Sequence, residues 1–324
     1  MKRIFVIFAL AATLVGCAKE DIVREAPRQA IGFGELFVDN ATRATDGSYS
    51  NTNLPASFKV YGTVTGNTTP ANTLNIFNGV DVYKTKQADD NIGDTSNNTW
   101  WYDKQYAQYW IPGASYNFAA VVGAYVEAGE ASYFMPTKLN TVADDDMHFQ
   151  DMLYDEVGVP NVAKDYNTPV AFTFTHLLSK VKFTVNSTAT GSYKHSVTNI
   201  TVSNYTSGTY DIAAKKWSGT AGDVSFGDIE GVNTEAGNVT CDYEKLLIPI
   251  SDSFNVSFTV NTYKGTELLT SEDFGTAEAP ITITQDLVAG NAYNFEISCK
   301  LGLPITFTFS SLGGWDDNPS ISIP

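Results

Sequence analysis

The sequence predicts an all-β protein built as two β-sandwich halves, on three observations. Apolar residues recur with a period of two along short runs, Asn-, Gly-, Thr- and Ser-rich turns separate those runs, and almost nothing sustains a helical period. Aromatic residues make up 13% of the chain, with 17 Tyr and 19 Phe, types that suit a pleated, half-buried surface. Regularly spaced strands of this kind indicate sandwiches rather than α/β units.

In chain order, Lys2 and Arg3 precede an apolar run from Ile4 to Val15 that ends in Leu14-Val15-Gly16-Cys17. Residues 1–17 therefore form a lipoprotein signal peptide, since about a dozen apolar residues are too few to span ~30 Å of hydrocarbon. The exported chain then starts at Cys17, whose acyl chains hold it to outer-membrane lipid. Residues 18–30 lack an apolar pattern and form a tether. Ile31–Val38 is the first strand, with Ile31, Phe33, Leu36 and Val38 as its apolar positions. A small polar loop, Asp39–Gly47, follows and carries Arg43 and Ala44, the kind of segment that proteases nick.

Further strands are expected at Phe58–Val64, Tyr116–Val126, Val170–Val185, Val197–Tyr205, Leu246–Ile250, Phe254–Tyr263, Ile281–Ile283, Tyr293–Ile297 and Ile305–Phe309. Turns fall at Thr65–Asn72 and Asp90–Asn98. The polar stretch Asn161–Asn167 divides the strand-rich chain into an N-terminal domain, 31–162, and a C-terminal domain, 163–324.

A formal charge of −16 excludes nucleic acid as a partner, because phosphates need a basic face. Cys241 and Cys299 sit in apolar, strand-like stretches and are expected to be buried, inert thiols, their pairing left open. His148, His176 and His195 show no ligand spacing, and Asp144, Asp145, Asp146 and Asp151 lack a calcium-loop pattern, so no metal is expected. His176 follows Phe172 and Phe174 at a period of two and suits a core or interface position. Nucleophile elbows and phosphate loops are absent. No catalytic residues can be named, no cofactor is implied, and the chain is expected not to be an enzyme. The aromatic run Trp100-Trp101-Tyr102, Tyr106, Tyr109 and Trp110 could stack on sugars, but rings leading into a strand are expected to fill the space between sheets.

Four stretches, in order, resemble the fimbrillin-like (Mfa-like) proteins of Bacteroidales, which supply subunits of type V pili. They are Tyr109-Trp110-Ile111-Pro112 followed by Tyr116–Ala120, Asp151-Met152-Leu153-Tyr154, Phe172–Phe183 and Leu287–Phe295. The third, Phe-x-Phe-x-His-x-x-Ser-Lys-Val-x-Phe, is the most specific. The resemblance implies two transthyretin-like β-sandwich domains in tandem, exported as a lipoprotein to the cell surface. It further implies cleavage after an arginine by a trypsin-like, arginine-specific protease, which removes the first strand so that a neighbouring subunit's terminal strand fills the groove. Cys17-Ala18-Lys19-Glu20-Asp21 is similar to the acidic export tag of surface lipoproteins in these bacteria.

Arg43 lies after the first strand, whereas Arg24 and Arg28 lie before it and would only trim the tether. The expected function is therefore a pilus subunit with a role in adhesion, assembled by strand exchange after cleavage between Arg43 and Ala44. Its expected partners are other pilus subunits and a host or bacterial surface receptor or glycan. A monomeric carbohydrate-binding surface lipoprotein is the alternative.

Overall fold

The structure, a computed structural model, describes residues 29–39, 49–51, 53–66, 72–89, 91–93, 100–128, 135–241, 244–251 and 253–314. The protein is all-β: apart from one 3-10 turn, Lys104–Tyr106, its regular elements among these residues are strands.

The first sheet has six strands in the spatial order Phe33–Val38, Val170–His176, Leu153–Val159, Ser115–Val122, Ser57–Thr65 and Thr73–Tyr83. Alternation sets its faces. In Val170–His176 the residues Val170, Phe172, Phe174 and His176 are buried while Ala171, Thr173 and Thr175 are exposed, as a half-buried strand requires. The inward side chains join Phe58, Val60, Phe77, Phe118 and Trp110 in the first core.

A second core fills the space between two further sheets. One contains Ser179–Ser187, Asn291–Cys299 and Thr306–Gly314; the other contains Tyr193–Asp211, Phe254–Lys264 and Glu267–Phe274. Phe183 and Phe295 stack at 4.8 Å at its centre. The latter sheet also takes in Ala124–Ala128 and Pro136–Thr141 from the first half, through pairs such as Tyr210 with Leu139. A third cluster joins the halves, with Tyr61, Ala119 and Val121 from the outer face of the first sheet against Leu177, Leu178, Leu246 and Ile248.

Passage between sheets depends on single residues. Gly123 separates Ser115–Val122 from Ala124–Ala128 at φ +65°, and a Cβ there would lie 2.1 Å from the Asp151 carbonyl oxygen. Only glycine fits both constraints. Leu177-Leu178 does similar work at the end of Val170–His176. The expected single strand Val170–Val185 is broken there, because burial runs without interruption from His176 to Val181 while the chain crosses from the first sheet to the next.

The strand Val170–His176, which a division at 162/163 assigns to the second half, is hydrogen-bonded in the first sheet on both of its sides. The polar stretch Asn161–Asn167 is thus a surface connection that leads back into that sheet.

Candidate functional site

The first strand is the candidate site. Phe33–Val38 runs parallel to Val170–His176, with Phe33 opposite Val170 and Val38 opposite Phe174, and a bulge between Phe33 and Leu36. The bulge falls at Gly34-Glu35. A Cβ on Gly34 would lie 3.1 Å from Pro169 Cβ, so the chains approach closely where the register slips. The Val170 amide donates to the Gly32 carbonyl at 2.8 Å, and the Asp39 amide to the Phe174 carbonyl at 2.7 Å.

On its other side the strand is covered by the segment that includes Trp100–Trp110. The Ile31 amide donates to Gln108 O at 2.8 Å, the Trp100 amide to Phe33 O at 3.0 Å, and the Tyr102 hydroxyl to Ile31 O at 2.7 Å. Burial raises the pKa of the Tyr102 phenol far above its ordinary value. Trp101 meanwhile exchanges backbone hydrogen bonds with Tyr83, on the opposite edge strand, at 2.7 and 2.8 Å. One short segment therefore closes the sheet between its two edges, and neither edge strand is left open along this stretch.

The four apolar positions point inward. Ile31 and Phe33 are fully buried, and Leu36 and Val38 nearly so, whereas Phe37 is 48% exposed. Phe33 is the hub, with the rings of Phe58, Phe77, Tyr102, Phe118 and Phe172 at 5.5 to 6.4 Å. At ~1.5–3 kcal/mol each, four such side chains contribute roughly 6–12 kcal/mol, an upper estimate since unfolded chains already bury some surface.

Both ends of the loop after the strand are tied down. Asn51 acts as a side-chain clip on Val38: its Oδ1 accepts from the Val38 amide at 2.8 Å, and its Nδ2 donates to the Val38 carbonyl at 3.1 Å. Where the chain returns, the Tyr49 amide donates to Asp151 Oδ2 at 3.0 Å, and Asp151 Oδ1 lies 2.9 Å from His176 Nδ1, with both of those side chains buried. Arg43 and Ala44 lie within the 40–48 segment and Cys17 precedes residue 29, all outside the described residues. Sequence reasoning missed the Asn51 clip and the Asp151–His176 pair, because each joins residues distant along the chain.

The fimbrillin-like family model matches residues 42–311, most of the chain. The chain belongs to the fimbrillin-like family. It is similar to a candidate cell adhesion protein from Bacteroides uniformis at 15% identity and a TM-score of 0.48, covering 88% of this chain and 97% of that one. It is similar to a fimbrial assembly protein from Parabacteroides distasonis at 12% identity and 0.39, covering 87% and 97%. It is similar also to the fimbrial anchor protein Mfa2 from Porphyromonas gingivalis at 11% and 0.33, covering 89% and 100%. No curated protein matches the chain.

The other candidates of this fimbrillin-like chain fall into place by burial. Trp100, Tyr102 and Trp110 are core residues, and Trp110 packs edge-on against Tyr116 and Tyr166 at 4.8 Å. Tyr106 and Tyr109, expected to fill the interior with them, are each 45% exposed instead, because the 3-10 turn carries this part of the chain over the surface. Asp144 Oδ1 accepts from the amides of Asp146 and Met147, a self-contained turn, while Asp151 is engaged with Tyr49 and His176. These carboxylates do not converge. Cys241 and Cys299 are free and buried, with burial raising both thiols, Cys299 to about 12. His195 Nδ1 lies 2.7 Å from Ser187 Oγ, and both residues are buried.

Proposed function

We propose that this fimbrillin-like chain is a lipoprotein-exported pilus subunit that assembles by exchange of its first strand. Its two halves are transthyretin-like sandwich domains in tandem, with the division after His176, where the chain leaves the first sheet. Cys17 carries the acyl chains that hold the precursor to the outer membrane, and an arginine-specific protease cuts between Arg43 and Ala44. The mature subunit stands on the cell surface in a pilus, bound to other subunits, with an adhesive and non-enzymatic role.

The observation that carries this reading is the first strand itself. It supplies the hub of the first core through Phe33, yet it is joined to the rest of the chain only through the loop that contains Arg43. A cut there frees the strand from covalent connection but leaves its groove lined by rings. Losing roughly 6–12 kcal/mol of burial would consume most of a domain's ~5–15 kcal/mol stability, so the groove must be refilled. Val170–His176 then offers its backbone to an incoming strand, the β-augmentation mode. The test is N-terminal mass spectrometry of subunits recovered from assembled fibres: a start at Ala44 supports the reading, and a start at Cys17 or Ala18 removes it.

A further inference from the structure

We propose that the polar cleft beside the strand Thr73–Tyr83 binds a neutral saccharide. The cleft measures about 440 Å³ and lies where that strand meets the short pair Asn91–Ile92 and Tyr102–Asp103 and the 3-10 turn Lys104–Tyr106. Sites for small molecules run ~300–1,000 Å³. Most are lined by apolar groups; this one is lined by carboxylates, carboxamides and tyrosines, which points to a ligand rich in hydroxyls.

The polar side chains are held in place before any ligand arrives. Asn91 Oδ1 accepts from the amides of Gln87 at 2.9 Å and Ala88 at 2.6 Å, which fixes the amide plane and leaves its N–H groups without a protein acceptor among the described residues. Asp103 Oδ1 accepts from the Gln105 amide and its Oδ2 from Gln105 Nε2, both at 2.9 Å, so the Gln105 carbonyl oxygen is left as an acceptor. Planar groups set in this way can each meet two neighbouring sugar hydroxyls, which donate and accept at once. Because they are already ordered, binding costs them little rotamer freedom.

Tyr106 supplies the complementary surface. Its ring is 45% exposed on the 3-10 turn and lines the cleft with Tyr83. A flat ring with a polar tip can cover the C–H face of a sugar while its hydroxyl stays wet. Charge selects the class of sugar: Asp81 is paired with Lys59 Nζ at 2.8 Å, Asp103 faces the cleft, and the chain carries −16, so an anionic glycan would be repelled.

This inference deepens the adhesive part of the proposed function but does not depend on strand exchange, so it is tested on the uncleaved protein. The purified full chain, in mild detergent, is applied to an array of neutral, sialylated and sulfated oligosaccharides, and the strongest neutral binder is titrated by calorimetry. Saturable binding to a neutral glycan is expected, with Tyr106→Ala and Gln105→Ala each weakening it about tenfold, or ~1.4 kcal/mol, at an unchanged melting temperature. Binding restricted to the acidic glycans, no saturable binding to any glycan, or affinity unmoved by both substitutions would overturn the proposal. Failure of the cleaved protein to form fibres would leave this result intact.

Discussion

Phe33→Ala is the most informative single change in the first strand. The ring is fully buried and touches five others. Its removal leaves a cavity whose walls are rings from four other strands, each fixed by its own sheet, so collapse is hindered and the cost should fall at ~3–5 kcal/mol. At ~2–4 °C per kcal/mol this lowers the melting transition of the first core by roughly 6–20 °C. Phe37→Ala is the internal control, because that ring lies on the opposite face at 48% exposure and should shift stability by no more than ~0.5 kcal/mol. Urea unfolding followed by tyrosine and tryptophan fluorescence measures both. A loss below ~1 kcal/mol for Phe33→Ala, or equal losses for the two variants, would show that the strand is not the hub of the core.

The remaining predictions concern the anchor, the core, the sheet crossing and pH. Cys17→Ala should abolish acyl labelling and release the precursor from the membrane fraction; unchanged labelling would remove the basis for the anchor. Trp110→Ala should cost ~3–5 kcal/mol, as its ring is core, whereas a small loss would return it to the ligand surface. Gly123→Ala should destabilise the fold strongly, since a side chain there meets the Asp151 carbonyl, and a variant of ordinary stability would contradict the crossing geometry. Burial holds His148 and His195 below their ordinary value of 6.5. The native state therefore binds fewer protons than the unfolded chain, and the stability these groups contribute is present above pH ~6.5 and lost as pH falls below it. A His148→Gln/His195→Gln variant should show a flatter decline in urea midpoint from pH 7 to 5 than the wild type, and parallel declines would refute this.

Strand positions with clean alternation were legible in the sequence. Phe58–Val64, Phe254–Tyr263 and Tyr293–Ile297 were each found within a few residues of Ser57–Thr65, Phe254–Lys264 and Asn291–Cys299. The inward positions Ile31, Phe33, Leu36 and Val38 followed from the same pattern despite the bulge, because Gly34-Glu35 interrupts the period with residues that carry no large apolar group. Lys216–Val232 was not found. It contains four glycines and lacks a continuous apolar face, so its strand conformation comes from pairing with Tyr193–Asp211 rather than from its own residues. Glu267–Phe274 was hidden for a related reason, being exposed along nearly its whole length. Of the candidate site, the strand was visible locally, but its parallel partner, the Trp100–Trp101 closure and the Asn51 clip are contacts between distant residues that no local period encodes.

The central claim, that the first strand is removable and its groove refillable, is tested most directly by treating purified precursor with an arginine-specific protease and examining it by mass spectrometry and electron microscopy. The account predicts a mass shift placing the new N-terminus at Ala44 and the growth of fibres. It also predicts that Arg43→Ala stays folded, uncut at that site and monomeric. Wild-type protein that is cut after Arg43 yet remains a stable monomer at high concentration, or an Arg43→Ala precursor that assembles as well as wild type, would contradict it.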